Sequence, residues 1–139
     1  MHFSLSSFDS DNLTCFDIIK AVHALTDSEL EILSCIHQNQ PIDMKEIISI
    51  IPKDRATVSR SIRKLMSIGF VRQDKINLAR GGYKYQYYSM SIQEIRDKLS
   101  QLILKISNRM IEAVSTLTEE RCRQIYEQVI EKYNQLTVQ

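Results

Sequence analysis

The sequence predicts a mainly α-helical protein with one small β-hairpin, an α+β fold, and two observations predict it. Two short amphipathic helices are expected around a tight turn at Lys53-Asp54, with Pro52 ending the first helix and Gly69 the second. A strand, a basic loop containing Gly81-Gly82 and an aromatic strand follow directly. Together these elements make up a winged helix-turn-helix.

Capping residues predict where the central helices begin. Thr26, with Glu29 three residues later, has the form of a capping box. Asp43 is the expected cap of the next short helix, and Asp54 is the expected cap of the helix 54–68. The two helices that flank the tight turn are therefore expected to start at defined residues.

Residue type and apolar spacing predict the remaining elements. Aromatic and β-branched residues favour two strands, at residues 70–72 and 83–88. Apolar residues at steps of three and four favour helices over residues 12–23, 91–117 and 119 to about 136.

The aromatic strand has two interpretations. Tyrosines at positions 83, 85, 87 and 88 suggest a stacking surface for single-stranded nucleic acid. Alternation along a strand instead places Tyr83, Tyr85 and Tyr87 on one face, where they are expected to cover the core. The second interpretation is preferred.

Composition excludes several classes of protein. Of the 139 residues, 43% are hydrophobic and 25% are charged, as in an ordinary globular domain. Cys15, Cys35 and Cys122 are far apart and form no C-x-x-C pair, so they are expected to be small core residues, and no metal or other cofactor is expected. The sequence contains no secretory signal and no run long enough to span a membrane, so a cytoplasmic protein is expected.

Charge is distributed unevenly, although the net charge is only +1. Residues 43–84 hold ten cations and four anions, a net charge of +6, and the rest of the chain holds eight cations and thirteen anions, a net charge of −5. A basic middle between acidic flanks is suited to orienting the molecule on a polyanion.

The helix 54–68 has an apolar face and a cationic face. At about 100° per residue, Val58, Ile62 and Leu65 fall together and are expected to pack inward. The opposite face is small or cationic and has hydroxyl groups near its N-terminal end, where the free N–H groups also favour a phosphate. Such a helix fits the major groove of double-stranded DNA, where Arg60 is suited to guanine.

The hairpin, residues 72–84, is expected to lie on the DNA backbone or in the minor groove, with Arg80 at its tip. The opposing interpretation is that these cations merely solubilise the surface. The predicted DNA-binding residues are Lys45, Arg55, Thr57, Ser59, Arg60, Arg63, Lys64, Lys75, Arg80 and Lys84.

The helix 91–117 carries an apolar stripe longer than a small domain needs on one helix. It is expected to meet the same helix of a second copy, while the helices 12–23 and 119–136 complete a shared bundle; packing within one chain is the alternative. The predicted dimer contacts are Ile95, Leu99, Leu102, Ile106, Met110 and Val114.

The sequence is therefore expected to have three segments. Residues 1–11 form a flexible N-terminus, residues 12–90 a winged helix-turn-helix DNA-binding domain, and residues 91–139 the C-terminal dimerisation helices. The helix 12–23 is expected to contribute to dimerisation as well.

Three stretches of the chain resemble a known family: LTDSELEILSCI, DRATVSRSIRKLMSIGFV and RGGYKYQYYSMSIQEIRDKL. They are similar to archaeal winged-helix regulators of the TrmB-like and MarR-like groups, over about residues 25–117. The resemblance implies a dimeric transcription regulator on palindromic operator DNA, and it leaves a small-molecule effector unknown.

Other classes of function fit the sequence less well. The sequence contains no catalytic triad, phosphate loop or nucleotide fingerprint, so an enzyme is not expected. A winged-helix adaptor that binds protein without specific DNA binding is the stronger rival, and a redox or ligand sensor within the regulator class is a third reading. Salt-dependent binding to random duplex DNA separates the regulator from the adaptor.

Overall fold

The computed structural model of the chain describes residues 5–9 and 11–137. A 3₁₀ turn, Leu5–Phe8, lies in the segment 1–11 that was expected to be flexible; residues 1–4 and 10 of that segment lie outside the described residues. The helices and strands then follow in the order α1 (Cys15–His23), α2 (Asp27–Asn39), β1 (Ile42–Asp43), α3 (Met44–Ile50), α4 (Arg55–Ser67), β2 (Val71–Asn77), β3 (Tyr83–Ser89), α5 (Ile92–Ser115) and α6 (Glu119–Thr137). The predicted mainly helical fold with a hairpin wing is confirmed.

The chain divides within α5 into two compact units, Met1–Leu99 and Ser100–Gln139. The first unit contains the helix-turn-helix and the sheet, and the second contains the C-terminal half of α5 together with α6. The sequence-based boundary between residues 90 and 91 stays a prediction.

The predicted caps begin the helices of the helix-turn-helix. The side chains of Thr26, Asp43 and Asp54 each accept a hydrogen bond from the backbone N–H three residues later. The first helix begins at Cys15 rather than at residue 12, because Thr14 caps it and forms a complete capping box with Asp17.

The sheet has three antiparallel strands in the order β1-β3-β2, one more than the predicted hairpin. The short strand β1 was missed because two residues are too few to show alternation; Ile42 pairs with Tyr87 and is fully buried. In the loop that joins β2 to β3, Gly81 and Gly82 have φ values of +90° and +79°, a conformation that favours glycine.

The core of the first unit lies between the helices and the sheet. The predicted inward face of α4 is confirmed, since Val58, Ile62 and Leu65 are buried. Ile95 and Leu99 of α5 are buried in the same core. Side chains covered within one chain have little surface left to bury against another, so the dimer contact of Ile95 and Leu99 stays a prediction that this burial does not support.

Lys64 connects α4 to the start of α2. Its ammonium group donates a hydrogen bond to the backbone carbonyl of Ala24 at 2.6 Å, and it lies 3.2 Å from Oε2 of Glu29. The Glu29 side chain is only 12% exposed and that of Lys64 is 37% exposed. The carboxylate expected to complete the capping box at Thr26 therefore holds Lys64 instead, and Lys64 supports the fold of its own chain.

A substitution at Lys64 is predicted to lower stability. Lys64→Gln should reduce the free energy of unfolding by about 1–2 kcal/mol, because it leaves the poorly hydrated Glu29 carboxylate without its cation. Arg63→Gln is the matched control, since Arg63 is exposed and has no ion pair within the described ranges. Urea unfolding followed by circular dichroism, at one fixed protein concentration, measures both. Equal stability of the two variants would contradict this role.

Candidate nucleic-acid interface

The outer face of α4 is built by the packing of its inner face. With Val58, Ile62 and Leu65 in the core, Ala56, Arg60, Arg63 and Ser67 project to solvent, as does Arg55 at the helix start. Ser61 is buried beside the apolar seam. The exposed face of the helix carries arginines and small side chains and no acidic side chain.

The N-terminus of α4 already holds a carboxylate. Asp54 accepts a hydrogen bond from the backbone N–H of Thr57 at 3.1 Å and a second one from the Thr57 hydroxyl. These bonds, from the side chain first and then the backbone, lower the pKa of Asp54, with a smaller contribution from Arg60. Asp54 therefore occupies part of the helix N-terminus that the sequence predicted as a phosphate site. It also accepts the hydrogen bond that the Thr57 hydroxyl group could otherwise donate to DNA.

Arg60 is hydrogen-bonded to Thr57 and so joins the side chains of Asp54 and Thr57 in one network. One of its terminal nitrogens lies 3.4 Å from the Thr57 hydroxyl oxygen, a long hydrogen bond. Since a guanidinium group has five N–H donors, most of the donors of Arg60 remain available to another molecule. Ser59 is half-buried next to it.

Two of the predicted DNA-binding lysines are engaged elsewhere. Lys64 is held by Glu29 and Ala24, and Lys84 forms an ion pair with Asp43 at 3.1 Å. Lys53 makes a similar link, to Ser28 at 2.8 Å and Glu31 at 3.7 Å. These pairs join residues far apart in the sequence, so charge counting alone does not reveal them.

The remaining predicted cations are exposed. Within the part of the chain that the structure describes, no ion pair is formed by Lys45 of α3, Arg55 and Arg63 of α4, or Arg80 of the loop between β2 and β3. Lys75 lies 4.1 Å from the centre of the Tyr83 ring, a cation–π contact. The structure thus keeps two groups of available cations, one on α3 and α4 and one on the wing.

The tyrosines of β3 do not all cover the core. Tyr87 is 7% exposed and belongs to the core, whereas Tyr83 is 53% exposed and Tyr85 is 37% exposed. The expectation that all three cover the core is wrong because β2 and β3 extend beyond the helices that they pack against. The length of β2 was the missing signal, because the sequence indicated only residues 70–72 whereas the strand is Val71–Asn77.

The second unit exposes its apolar side chains. No residue from position 100 to 137 is buried, although α5 and α6 both have amphipathic sequences. Leu102 is half-buried, and Ile106, Met110 and Val114 are exposed, Val114 at 69%. Three residues of the predicted dimer contact are therefore exposed in a single chain, and Leu102 is partly covered.

The cysteines are also placed differently from expectation. Cys35 is buried in the core, and burial raises the pKa of its thiol. Cys15 and Cys122 are exposed, so the expectation that all three are core residues is correct only for Cys35. Among the residues described, no three His, Cys, Asp or Glu side chains are grouped to share a metal ion. None of the helices described there is both long enough and apolar enough to cross a bilayer.

Comparison with known proteins shows which families and structures the chain is similar to. The sequence model of the MarR family matches residues 25–76. An uncharacterized protein of Methanocaldococcus jannaschii is 29% identical over 119 residues, which cover 85% of this chain and 85% of that protein. A solved structure described as a "possible transcriptional regulator" of Methanosarcina mazei is 26% identical, with a TM-score of 0.65 over 74% of this chain and 88% of that one.

A second solved structure, from the archaeon Sulfolobus tokodaii, is 25% identical, with a TM-score of 0.55 over 68% of this chain and 92% of that one. The family match spans α2, α3, α4 and most of β2, and it therefore includes the exposed arginines of α4. The chain has a winged helix-turn-helix fold, and it is similar to the MarR family over residues 25–76 and to an archaeal protein described as a possible transcriptional regulator.

Proposed function

We propose that the protein is a homodimeric transcriptional regulator that binds specific sequences of double-stranded DNA. The observation that carries the proposal is the outer face of α4, where Arg55, Arg60 and Arg63 are exposed without an acidic neighbour on the helix. Cations on such a face neutralise phosphates and release condensed counterions. An α-helix that exposes one face in this way can lie in the major groove of DNA with that face against the bases.

The outer face of α4 also supports reading of base edges. Ala56 is small and exposed, so it lets the helix backbone come close to the bases. The guanidinium group of Arg60 keeps donors for the O6 and N7 atoms of guanine, and Ser59 offers a hydroxyl group beside it. Thr57 is a weaker candidate than the sequence suggested, because Asp54 engages its hydroxyl group.

The wing and α3 supply further contacts in this proposal. Arg80 projects from the loop after β2 and is assigned to the minor groove or the adjacent backbone. Lys45 near the start of α3 is exposed and is assigned to a phosphate. Lys64 and Lys84 are removed from the proposed set, since both ammonium groups are held within the chain.

The uncovered apolar residues of the second unit support the homodimer. Helices of this length depend mainly on burial of an apolar face for their stability in water, and within positions 100–137 no residue is buried. Ile106, Met110 and Val114 are therefore proposed to pack against a second copy. Phe16 of α1 and Leu13 just before that helix are further exposed apolar residues, and they support a contribution from this part of the chain.

A two-fold dimer has a consequence for the DNA site. It presents two copies of α4, which are expected about 34 Å apart, or a multiple of that distance, to meet successive major grooves on one side of the duplex. The expected operator is then an inverted repeat with a matching half-site spacing. If the protein binds no duplex in the tests below, its function is instead that of an adaptor that does not bind DNA.

Loss of the Arg60 side chain is predicted to reduce sequence discrimination. Arg60→Ala should weaken binding to a selected operator by about 1–3 kcal/mol and relax preference at one base position per half-site. The matched control is Arg96→Ala, which removes an exposed arginine of α5. In vitro selection supplies the operator, and affinities are compared on operator and scrambled duplexes. Equal losses on both would assign Arg60 to phosphate, and no loss on either would exclude it from the groove.

The homodimer is predicted to depend on the exposed stripe of α5. Val114→Glu should produce monomers and lower operator affinity, because it places a charge where an apolar contact is proposed. Val114 is 69% exposed in one chain, so the substitution spares the fold of the monomer. Asn108→Glu adds the same charge at another exposed position of α5 and should leave the assembly intact. Sedimentation equilibrium measures the mass. An unmodified protein that is monomeric at micromolar concentration and still binds its operator would rule out the homodimer.

A further inference from the structure

Polar side chains form a row along the N-terminal part of α4. Asp54, Thr57 and Arg60 are spaced three residues apart, so successive side chains are neighbours on the helix surface. Arg63 continues the row by one further step. Thr57 is half-buried and the other three residues are exposed. The row therefore runs along the surface that is proposed to face DNA.

The hydrogen bonds in this row run from the arginine towards the carboxylate. Hydrogen bonds from Thr57 lower the pKa of Asp54, so this group is ionised at neutral pH and can only accept. The Thr57 hydroxyl group therefore donates to Asp54, and its oxygen is left to accept from Arg60, whose terminal nitrogen lies 3.4 Å away. A hydroxyl group that donates to an anion is also a stronger acceptor. Asp54 thus acts on the guanidinium group through Thr57.

Arg55 and Arg63 are not held in this way. Both are exposed, and within the described part of the chain neither side chain forms a hydrogen bond or an ion pair. Contacts with phosphate carry no sequence information and suit a mobile side chain, whereas a bidentate contact with guanine requires a fixed guanidinium plane. Arg60, which already has a partner, is therefore the arginine of α4 best prepared to read a base.

We propose that Asp54, acting through the Thr57 hydroxyl group, positions the guanidinium group of Arg60 to read one base in each half-site. The inference rests on the proposed DNA-binding function and deepens it, because it separates the arginine that reads sequence from those that neutralise phosphates. Asp54 and Thr57 are positioning residues and need not touch the DNA. Their network restricts the Arg60 side chain before binding, so less side-chain entropy is lost when the specific complex forms.

Removal of the Thr57 hydroxyl group tests the network. Thr57→Val keeps the shape of the side chain and the backbone hydrogen bond to Asp54, and it should lower the ratio of operator affinity to scrambled-duplex affinity roughly three- to tenfold. Affinity for the scrambled duplex should not change, because the charge of Arg60 remains. Asp54→Asn still caps the helix but has one acceptor oxygen instead of two, so it should lower the ratio as well.

Three controls separate positioning from other effects. Thr57→Ser keeps the hydroxyl group and should keep the ratio of the unmodified protein. Ser67→Ala removes a hydroxyl group that donates to the backbone carbonyl of Lys64, and it should also leave the ratio unchanged. In an Arg60→Ala background, Thr57→Val should cause no further loss, since a residue that acts through Arg60 has no effect without it. Fluorescence anisotropy measures every variant on an operator selected in vitro and on its scrambled duplex.

The outcomes separate the positioning role from DNA binding. If Thr57→Val or Asp54→Asn discriminates like the unmodified protein while Arg60→Ala does not, Arg60 reads DNA without this network. If the losses from Thr57→Val and Arg60→Ala add, Thr57 contacts DNA directly, and the positioning role is overturned. Equal losses on both duplexes would assign the hydroxyl group to the fold and contradict the role too. If the unmodified protein itself does not discriminate between duplexes, the proposed function fails as well. Circular dichroism confirms that each variant is folded.

Discussion

The apolar seam of α4 is the interaction on which the rest of the interface depends. Val58, Ile62 and Leu65 are almost completely buried in the core of the first unit. Burial of each such side chain stabilises the fold by roughly 1.5–3 kcal/mol. Because the residues of a helix have fixed angular positions, burying one face determines which side chains reach solvent. The presentation of Arg60 and Arg63 is therefore a consequence of core packing.

Ion pairs with acidic residues of α2 and β1 divide the cations of residues 43–84 into two classes, those held within the chain and those that remain available. Lys53, Lys64 and Lys84 are held by Glu31, Glu29 and Asp43, so their charges serve the fold of the first unit. The arginines stay exposed. Arginine is also the residue better suited to bidentate contacts with phosphate and guanine. The net charge of +6 between residues 43 and 84 thus overstates the charge available to a polyanion.

Local features of the sequence predicted much of the fold. The caps at Thr26, Asp43 and Asp54 and the seam of α4 were predictable because each depends on residues within one or two turns. The partner of Lys64 was not, because Glu29 lies 35 residues away and reaches it only through tertiary packing.

Features that depend on how far a strand or helix extends beyond the core were also hard to predict. The strands β2 and β3 outrun the core, which leaves Tyr83 and Tyr85 exposed although alternation alone places them with Tyr87. The start of α5 packs against its own domain, so Ile95 and Leu99 are core residues while the stripe continues uncovered beyond them. A periodic pattern identifies a buried face, and it does not say which molecule buries it.

The central claim is that α4 and the wing formed by β2 and β3 bind DNA, and mapping backbone amide chemical shifts during a titration with duplex DNA tests it most directly. The largest changes are expected in residues 55–63 of α4 and in the parts of β2 and β3 around Lys75 and Tyr83–Tyr85. Changes confined to residues 100–137, or no changes at a DNA concentration that saturates other winged-helix proteins, would contradict it.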